Sequence, residues 1–207
     1  MIIKTFEFNL LQENTYVVSD DTKECVIIDC GAYYQEERDA LVNYINDNHL
    51  KPTHLLCTHG HFDHNFGINT VYETWGLKPE IASDDNWLIS DLSGQFLAMA
   101  GVKLKWTYPE PGHFFDNNEV IRFGNHQLQI LRTPGHTPGG VTFYCAEEGI
   151  AFTGDTLFRM SIGRTDFERG SYADILDSLR NVIAQLPADT KVYTTRSEER
   201  FSRNAET

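Results

Sequence analysis

Basic residues are scarce in this sequence: Lys and Arg number 17 against 30 Asp and Glu, which leaves a formal net charge of −13 over 207 residues. A surface so acidic repels phosphate backbones and anionic headgroups, so nucleic acid and membrane surfaces are poor partners for it. Long apolar runs are missing too. No segment approaches the roughly 20 apolar residues that cross a bilayer. The start, Met1-Ile2-Ile3-Lys4-Thr5-Phe6-Glu7-Phe8, lacks the basic beginning and apolar stretch of a signal peptide. A cytoplasmic location is expected. Only four cysteines occur, Cys25, Cys30, Cys57 and Cys145, and no two form a C-x-x-C pair. In a reducing compartment they read as small buried hydrophobes with no chemistry of their own.

What remains is ordinary globular material, 41% apolar and 23% charged, long enough for one substantial core and short for two. Period-two alternation predicts strands over Ile2 to Phe8, Thr15 to Val18 and Cys25 to Ile28, an antiparallel meander separated by polar turns. A helix is expected from about Gln35 to Asn48, with Pro52 closing the connection to a short apolar strand, Thr53 to Cys57. Helical patterns follow over Asp63 to Trp75 and Ser83 to Ala100, then strands over Glu119 to Phe123, Gln127 to Leu131, Val141 to Cys145 and Ile150 to Thr153. A last helix places Tyr172, Ile175, Leu176, Leu179, Val182, Ile183 and Leu186 on one face, with Ser171 and Asp174 as its capping signal and Pro187 as its stop. Lys191 to Tyr193 reads as a final strand. Strands with helices between and after them argue for an α/β protein of two packed sheets with helices outside.

The chemistry concentrates just past three of the strands. After Cys57 the chain runs Thr58-His59-Gly60-His61-Phe62-Asp63-His64; after Leu131 it turns through Thr133-Pro134-Gly135-His136; after Thr153 comes Gly154-Asp155. Residues two apart diverge by about 200° on a helix but align in an extended segment, so His59 and His61 can share an ion only if this loop begins non-helically. Gly60 is expected to supply the unusual backbone angles. An isolated histidine before a turn, or a lone Gly-Asp, is ordinary turn chemistry. H-x-H-x-D-H with two such echoes is not. Imidazole and carboxylate donors without thiolate suit Zn²⁺, with iron or manganese as alternatives. His59, His61, Asp63, His64, His136 and Asp155 exceed the needs of one tetrahedral ion; two ions roughly 3.5–4 Å apart would use them all. His49, His54, His113 and His126 lack such neighbours and read as surface or partly buried side chains.

These residues resemble the metallo-β-lactamase superfamily, and within it the short hydrolases similar to glyoxalase II. The resemblance covers about residues 1 to 193: Asn14-Thr15-Tyr16, Ile28-Asp29-Cys30-Gly31, the Thr58 to His64 signature, Thr133 to Gly140, Gly154 to Phe158, and Gly163 to Asp166. It implies an αββα sandwich of two mixed sheets with the metals at one edge. His59, His61 and His136 would hold the first ion; Asp63 and His64 would hold the second, with Asp155 bridging. Asp29 and Asp166 match positions that support the ligands, although an Arg164–Asp166 salt bridge explains the latter equally well. One departure stands out. Members carry Gly-His-Gly after the final strand, supplying the last ligand of the second ion, where this chain reads Thr194-Thr195-Arg196 and then a polar tail to residue 207.

The implied reaction is hydrolysis of a small acyl substrate, a thioester first of all, by metal-bound hydroxide, with Asp63 orienting the nucleophile or accepting its proton. About twenty residues follow the last helix, so the helical region that grips glutathione in glyoxalase II is not expected here. A mononuclear iron persulfide dioxygenase of the same fold, using His59, His136 and Asp155, is the competing enzyme. A catalytically impaired member, kept for binding, is the competing non-enzyme.

Overall fold

The computed structural model describes residues 1–116 and 118–196, so the expected polar tail falls mostly outside the described residues. Two mixed sheets face each other. The first contains β1 (Ile2–Phe8), β2 (Glu13–Ser19), β3 (Glu24–Ile28), β4 (Lys51–Leu56), β5 (Pro79–Ile81) and β6 (His113–Phe114), in that spatial order. Its first three strands are antiparallel and the rest add in parallel. The second contains β7 (Val120–Phe123), β8 (His126–Arg132), β9 (Val141–Cys145), β10 (Ile150–Phe152) and β11 (Lys191–Tyr193), antiparallel except for the parallel β10–β11 pair.

Alternation assigns the faces. Tyr16, Val18, Val26, Ile28 and Leu56 point from the first sheet toward Ile121, Phe123, Leu128, Ile130, Phe143 and Phe152 of the second, forming one core between the sheets. The intervening residues, Val17, Cys25, Ile27, Leu55 and Cys57, face outward and are covered by Leu41 and Ile45 of α1 (Gln35–Asp47) and Ile68 and Val71 of α2 (Ile68–Trp75). That is why β2 is buried along its whole length, β3 reads as a near-continuous apolar run, and β4 is buried at its end, at Leu55 and Leu56. Each fully buried aliphatic side chain contributes about 1.5–3 kcal/mol of burial free energy, so this double-sided sheet is the principal stabilising layer. All four cysteines are buried and free, as composition predicted.

Several boundaries differ from the sequence pattern, each for a local reason. Pro52 lies inside β4. It has no N–H for the ladder, and the register slips there, so that Cys25 faces Pro52 while Val26 faces His54. The expected helix over 63–75 is broken into a 3₁₀ turn, Phe62–His64, and then α2. Between them Asn65 turns its side chain back onto the carbonyls of His59 and His61, and the chain is pinned to the end of β3 by bonds from Cys30 N to His64 O (2.7 Å) and Gly67 N to Cys30 O (2.8 Å). The stretch over 83–100 likewise divides into a 3₁₀ turn at Ser83–Asp85, α3 (Asn86–Ile89) and α4 (Leu92–Ala100), the last restarted by Asp91 as its N-cap.

The final helix, α5 (Tyr172–Asn181), ends earlier than its periodicity suggests and is followed by a 3₁₀ turn at Ile183–Gln185. Its apolar face is also narrower: Ile175 is buried, whereas Tyr172 is 62% exposed. Short β5 and β6 had no counterpart in the sequence reading. Residues 194–196 do not trail away from the sheet either. Thr195 O accepts from Asn14 N at 2.7 Å, and Arg196 forms a β-bridge with Glu13. Among the described residues, no helix is long and apolar enough to cross a membrane.

Candidate metal centre

The cluster forms where β4, β8 and β10 end on the same edge of the sandwich, so both sheets supply side chains to it. Past β4, His59 is followed by an extended backbone at His61 (φ −71°, ψ 146°), which turns both imidazoles to one side. Gly60 acts differently from the sequence expectation. Its φ is not left-handed; instead a Cβ there would lie 2.7 Å from Leu88 Cβ and 3.0 Å from Asp85 O, so glycine is required by close approach. Past β8, Gly135 does need its freedom, with φ 139° and the Ile175 backbone 2.4 Å from where a Cβ would be. α5 is thereby seated on the turn that carries His136. Ser171 N donates to Gly135 O at 2.8 Å and Ser178 Oγ donates to Pro134 O at 2.7 Å.

One donor atom each from His59, His61 and His136 lie within 4.8 Å of one another, and the same holds for His59, His64 and Asp155 and for Glu13, Asp29 and His64. Hydrogen bonding dictates which nitrogens are free. His136 Nδ1 sits 2.7 Å from Arg164 O, a pure acceptor, so Nδ1 carries the proton and Nε2 keeps its lone pair. Thr58 Oγ1 donates to Asp29 Oδ2 (2.8 Å) and therefore accepts from His59 Nδ1 (3.0 Å), which leaves His59 Nε2 as the unprotonated nitrogen. That atom is buried without a hydrogen-bond partner. His61 Nδ1 and His136 Nε2 approach to 2.9 Å. Leaving a buried polar atom unsatisfied costs about 1–3 kcal/mol, and the free lone pair of His59 Nε2 beside the His61 and His136 rings calls for an electron acceptor. The donor set fits a divalent cation held by three nitrogens.

Electrostatics agree. Burial, helped by neighbouring His136, pushes His61 down to about 3, and burial also holds His59 well below the usual imidazole range; both are neutral donors near pH 7. His64 is the opposite case: burial would lower it, but Asp155 and Asp63 outweigh burial, and its pKa is raised. It lies 3.0 Å from Asp29 Oδ2 and 3.3 Å from Asp155 Oδ1. Burial raises Glu13 well above the carboxylate range, which keeps it neutral beside them. For Asp63 and Asp155 burial is overcome by Arg196 and His64, and both carboxyls are held low.

All six residues singled out by sequence are brought to this edge. Asp29 reaches Thr58 and His64 as a support. Asp166 does not reach the cluster: it forms a two-point salt bridge with exposed Arg164, and the carbonyl of Arg164 is what orients His136. Three of the four other histidines have acidic partners that the sequence did not reveal, His54 with Glu80, His113 with Glu119, and His126 with Asp20 and Glu148. Three contributors to the site were also missed. Asp85 accepts from Gly60 N (2.9 Å), Thr137 Oγ1 (2.7 Å) and Gly139 N (2.7 Å), joining the His59 and His136 loops; burial raises its pKa while these donors hold it back. Phe167 lays its ring 5.0 Å from that of His61 at the rim. Arg196 enters from the C-terminal side.

A model of the metallo-beta-lactamase superfamily matches residues 8–195. Hydroxyacylglutathione hydrolase GloC of Haemophilus influenzae is 32% identical, over 98% of this chain and 96% of that protein. Among solved structures, BLEG-1, described as a B3 metallo-beta-lactamase, superposes with a TM-score of 0.86 at 31% identity, covering 95% of this chain and 92% of its own. TTHA1623 in a di-iron-bound form superposes with a TM-score of 0.78 at 30% identity, covering 94% and 92%. With the αββα architecture, the histidine-rich edge and a match spanning nearly its whole length, this chain belongs to the metallo-β-lactamase superfamily.

Proposed function

We propose that this protein is a metal-dependent hydrolase of small acyl substrates, thioesters first among them, with His59, His61 and His136 holding the catalytic ion. The observation that carries the reading is the convergence of nitrogens from three imidazoles, with His59 Nε2 left unprotonated and buried without a partner. A divalent cation there would polarise an acyl oxygen and lower the pKa of a water toward ~7. The chain's own residues do the rest. Asp29 and Arg164 O fix the imidazole tautomers through Thr58 and directly, so that the lone pairs point inward before any ligand arrives. His59 and His136 are buried while His61 is part-exposed, so substrate approaches from the His61 side, past Phe167 and the Arg164 guanidinium stacked 4.3 Å from its ring. The apolar face of Phe167 at this rim suits the hydrocarbon part of an acyl substrate. Asp63 would orient the attacking water or take its proton; its contact with Arg196 keeps it ionised for either role.

The dioxygenase reading needs two histidines and a carboxylate. His61 Nδ1 lies 2.9 Å and Asp155 Oδ2 3.4 Å from His136 Nε2, so either ligand set can assemble and the assay separates the two readings. The name of the GloC relative puts hydroxyacyl-glutathione thioesters first in an assay panel, and that of BLEG-1 puts a β-lactam second. We expect zinc- or iron-loaded protein to cleave a thioester, and His136→Ala to lower kcat/KM by at least a hundredfold while remaining folded. Oxygen uptake on a persulfide with no thioester cleavage would replace this reading with the dioxygenase.

A further inference from the structure

The second half of the cluster already contains a cation supplied by the chain. Arg196 Nη2 is paired with Asp63 Oδ2 and lies 3.6 Å from Asp155 Oδ2, while Nη1 donates to Leu11 O at 2.9 Å. The side chain is held at its root as well. Its backbone bridges to Glu13, and the preceding Thr195 donates from Oγ1 to Asp155 Oδ1 at 2.5 Å and accepts from Asn14 N through its carbonyl. The guanidinium is therefore directed between two buried carboxylates, which need a positive partner to stay ionised away from water.

We propose that the Arg196 guanidinium takes the place of a second metal ion between Asp63 and Asp155, making this chain a one-ion member of its superfamily. The inference rests on the three-histidine site proposed above. A guanidinium is always charged and planar, and offers several donors in a fixed fork, so it can neutralise Asp63 and Asp155 together. It carries one positive charge against two for a divalent ion, and its nitrogens accept no electron pairs. The carboxylates it engages cannot direct the same oxygens to a metal. Asp155 is then tied to a fixed partner and the whole ligand-exchange chemistry of the site falls to His59, His61 and His136.

The test is metal stoichiometry. Full-length protein is stripped with a chelator, reloaded with zinc chloride, desalted, and analysed for zinc per chain. Wild type is expected to retain one ion. Arg196→Ala and Arg196→His, which remove the guanidinium, are expected to retain two, with a larger rise in melting temperature on adding zinc than wild type shows. Arg196→Lys keeps a cation near the carboxylates and is expected to retain one. Two ions on wild type, or one ion on all four proteins, would overturn the role of Arg196 and leave the three-histidine site standing. Two on the Lys variant would overturn it in the same way. No retained zinc on wild type would overturn the three-histidine site itself, and this inference with it. A circular-dichroism spectrum matching wild type establishes that each variant is folded before its zinc is counted.

Discussion

Asp85 contributes no atom to the histidine cluster, yet three donors from two loops close on its carboxylate: Gly60 N, Gly139 N and Thr137 Oγ1. Two of these are backbone amides whose acceptor is removed when the side chain is shortened. Each orphaned buried donor costs about 1–3 kcal/mol. Asp85→Ala is therefore expected to destabilise the fold by about 3 kcal/mol or more in urea denaturation, and to weaken zinc binding about 10–100-fold, as loss of an outer support does for other metal sites. Asp85→Asn keeps one acceptor oxygen and should lose less of both. Unchanged zinc affinity in a destabilised Asp85→Ala would show that the two loops are held in register by other contacts. Nothing in the local sequence marks Asp85, because its partners stand 25 to 54 positions away. The cluster of candidate donors, by contrast, was legible. His59, His61, Asp63 and His64 crowd into six positions, and crowding of donors is something a linear pattern can display. Arg196 shows the limit of that kind of reading. The missing imidazole after the last strand was visible, but the residue that fills its place is recognisable only once Asp63 and Asp155 are seen flanking it.

At the scale of elements, the long strands and α1 were readable because burial on one or both faces stamps a period on the chain. The failures lie where a side chain overrides that period: Asn65 cutting one helix, Asp91 restarting another, and Pro52 displacing a register without ending a strand. β5 is three residues long, too short to carry any alternation, and it exists because β4 offers it a parallel edge. Its pairing has a titratable component. His54 Nδ1 on β4 sits 2.7 Å from Glu80 Oε1 on β5, with side-chain exposures of 27% and 14%. The bond to Glu80 is the main reason the His54 pKa is raised. Below the unfolded value near 6.5 both states of His54 are protonated and the pair stabilises the fold in full. As pH rises through the folded pKa the proton leaves and that contribution, about 0.5–1 kcal/mol for a partly exposed pair, is lost. The difference in unfolding free energy between wild type and His54→Gln should shrink by this amount from pH 6 to pH 8. His126, which is also raised, titrates in both proteins and cancels from the difference. A difference that stays constant with pH would mean that His54 titrates alike in the folded and unfolded states, so that Glu80 does not favour its protonated form.

For the molecule as a whole, the significant fact is that the three imidazoles come from both sheets: His59 and His61 follow β4 of the first, His136 follows β8 of the second. An ion held by all three bridges two layers that are otherwise joined by the apolar core and by a few ties such as Asp85. Because the unfolded chain separates His136 from the His59–His64 run, the three-imidazole site exists only in the folded state, and binding there stabilises it by up to RT ln(1 + [L]/Kd), or ~4 kcal/mol at a thousandfold excess over Kd. For a protein of 207 residues, 1 kcal/mol corresponds to about 2–4 °C of melting temperature. Chelator-treated protein is accordingly expected to melt roughly 10 °C below the zinc-loaded form, with zinc restoring the difference. The net charge of −13 attracts any divalent ion to the surface, so magnesium at the same concentration is the necessary comparison. It prefers oxygen donors and should recover little of the shift. His136→Ala removes the only imidazole that the second sheet contributes to the three-histidine set, and should therefore reduce the zinc response to the magnesium level even where His59 and His61 still bind an ion weakly. A full zinc response in that variant would mean that the stabilising ion lies within one sheet, and that the cluster does not join the two halves of the fold.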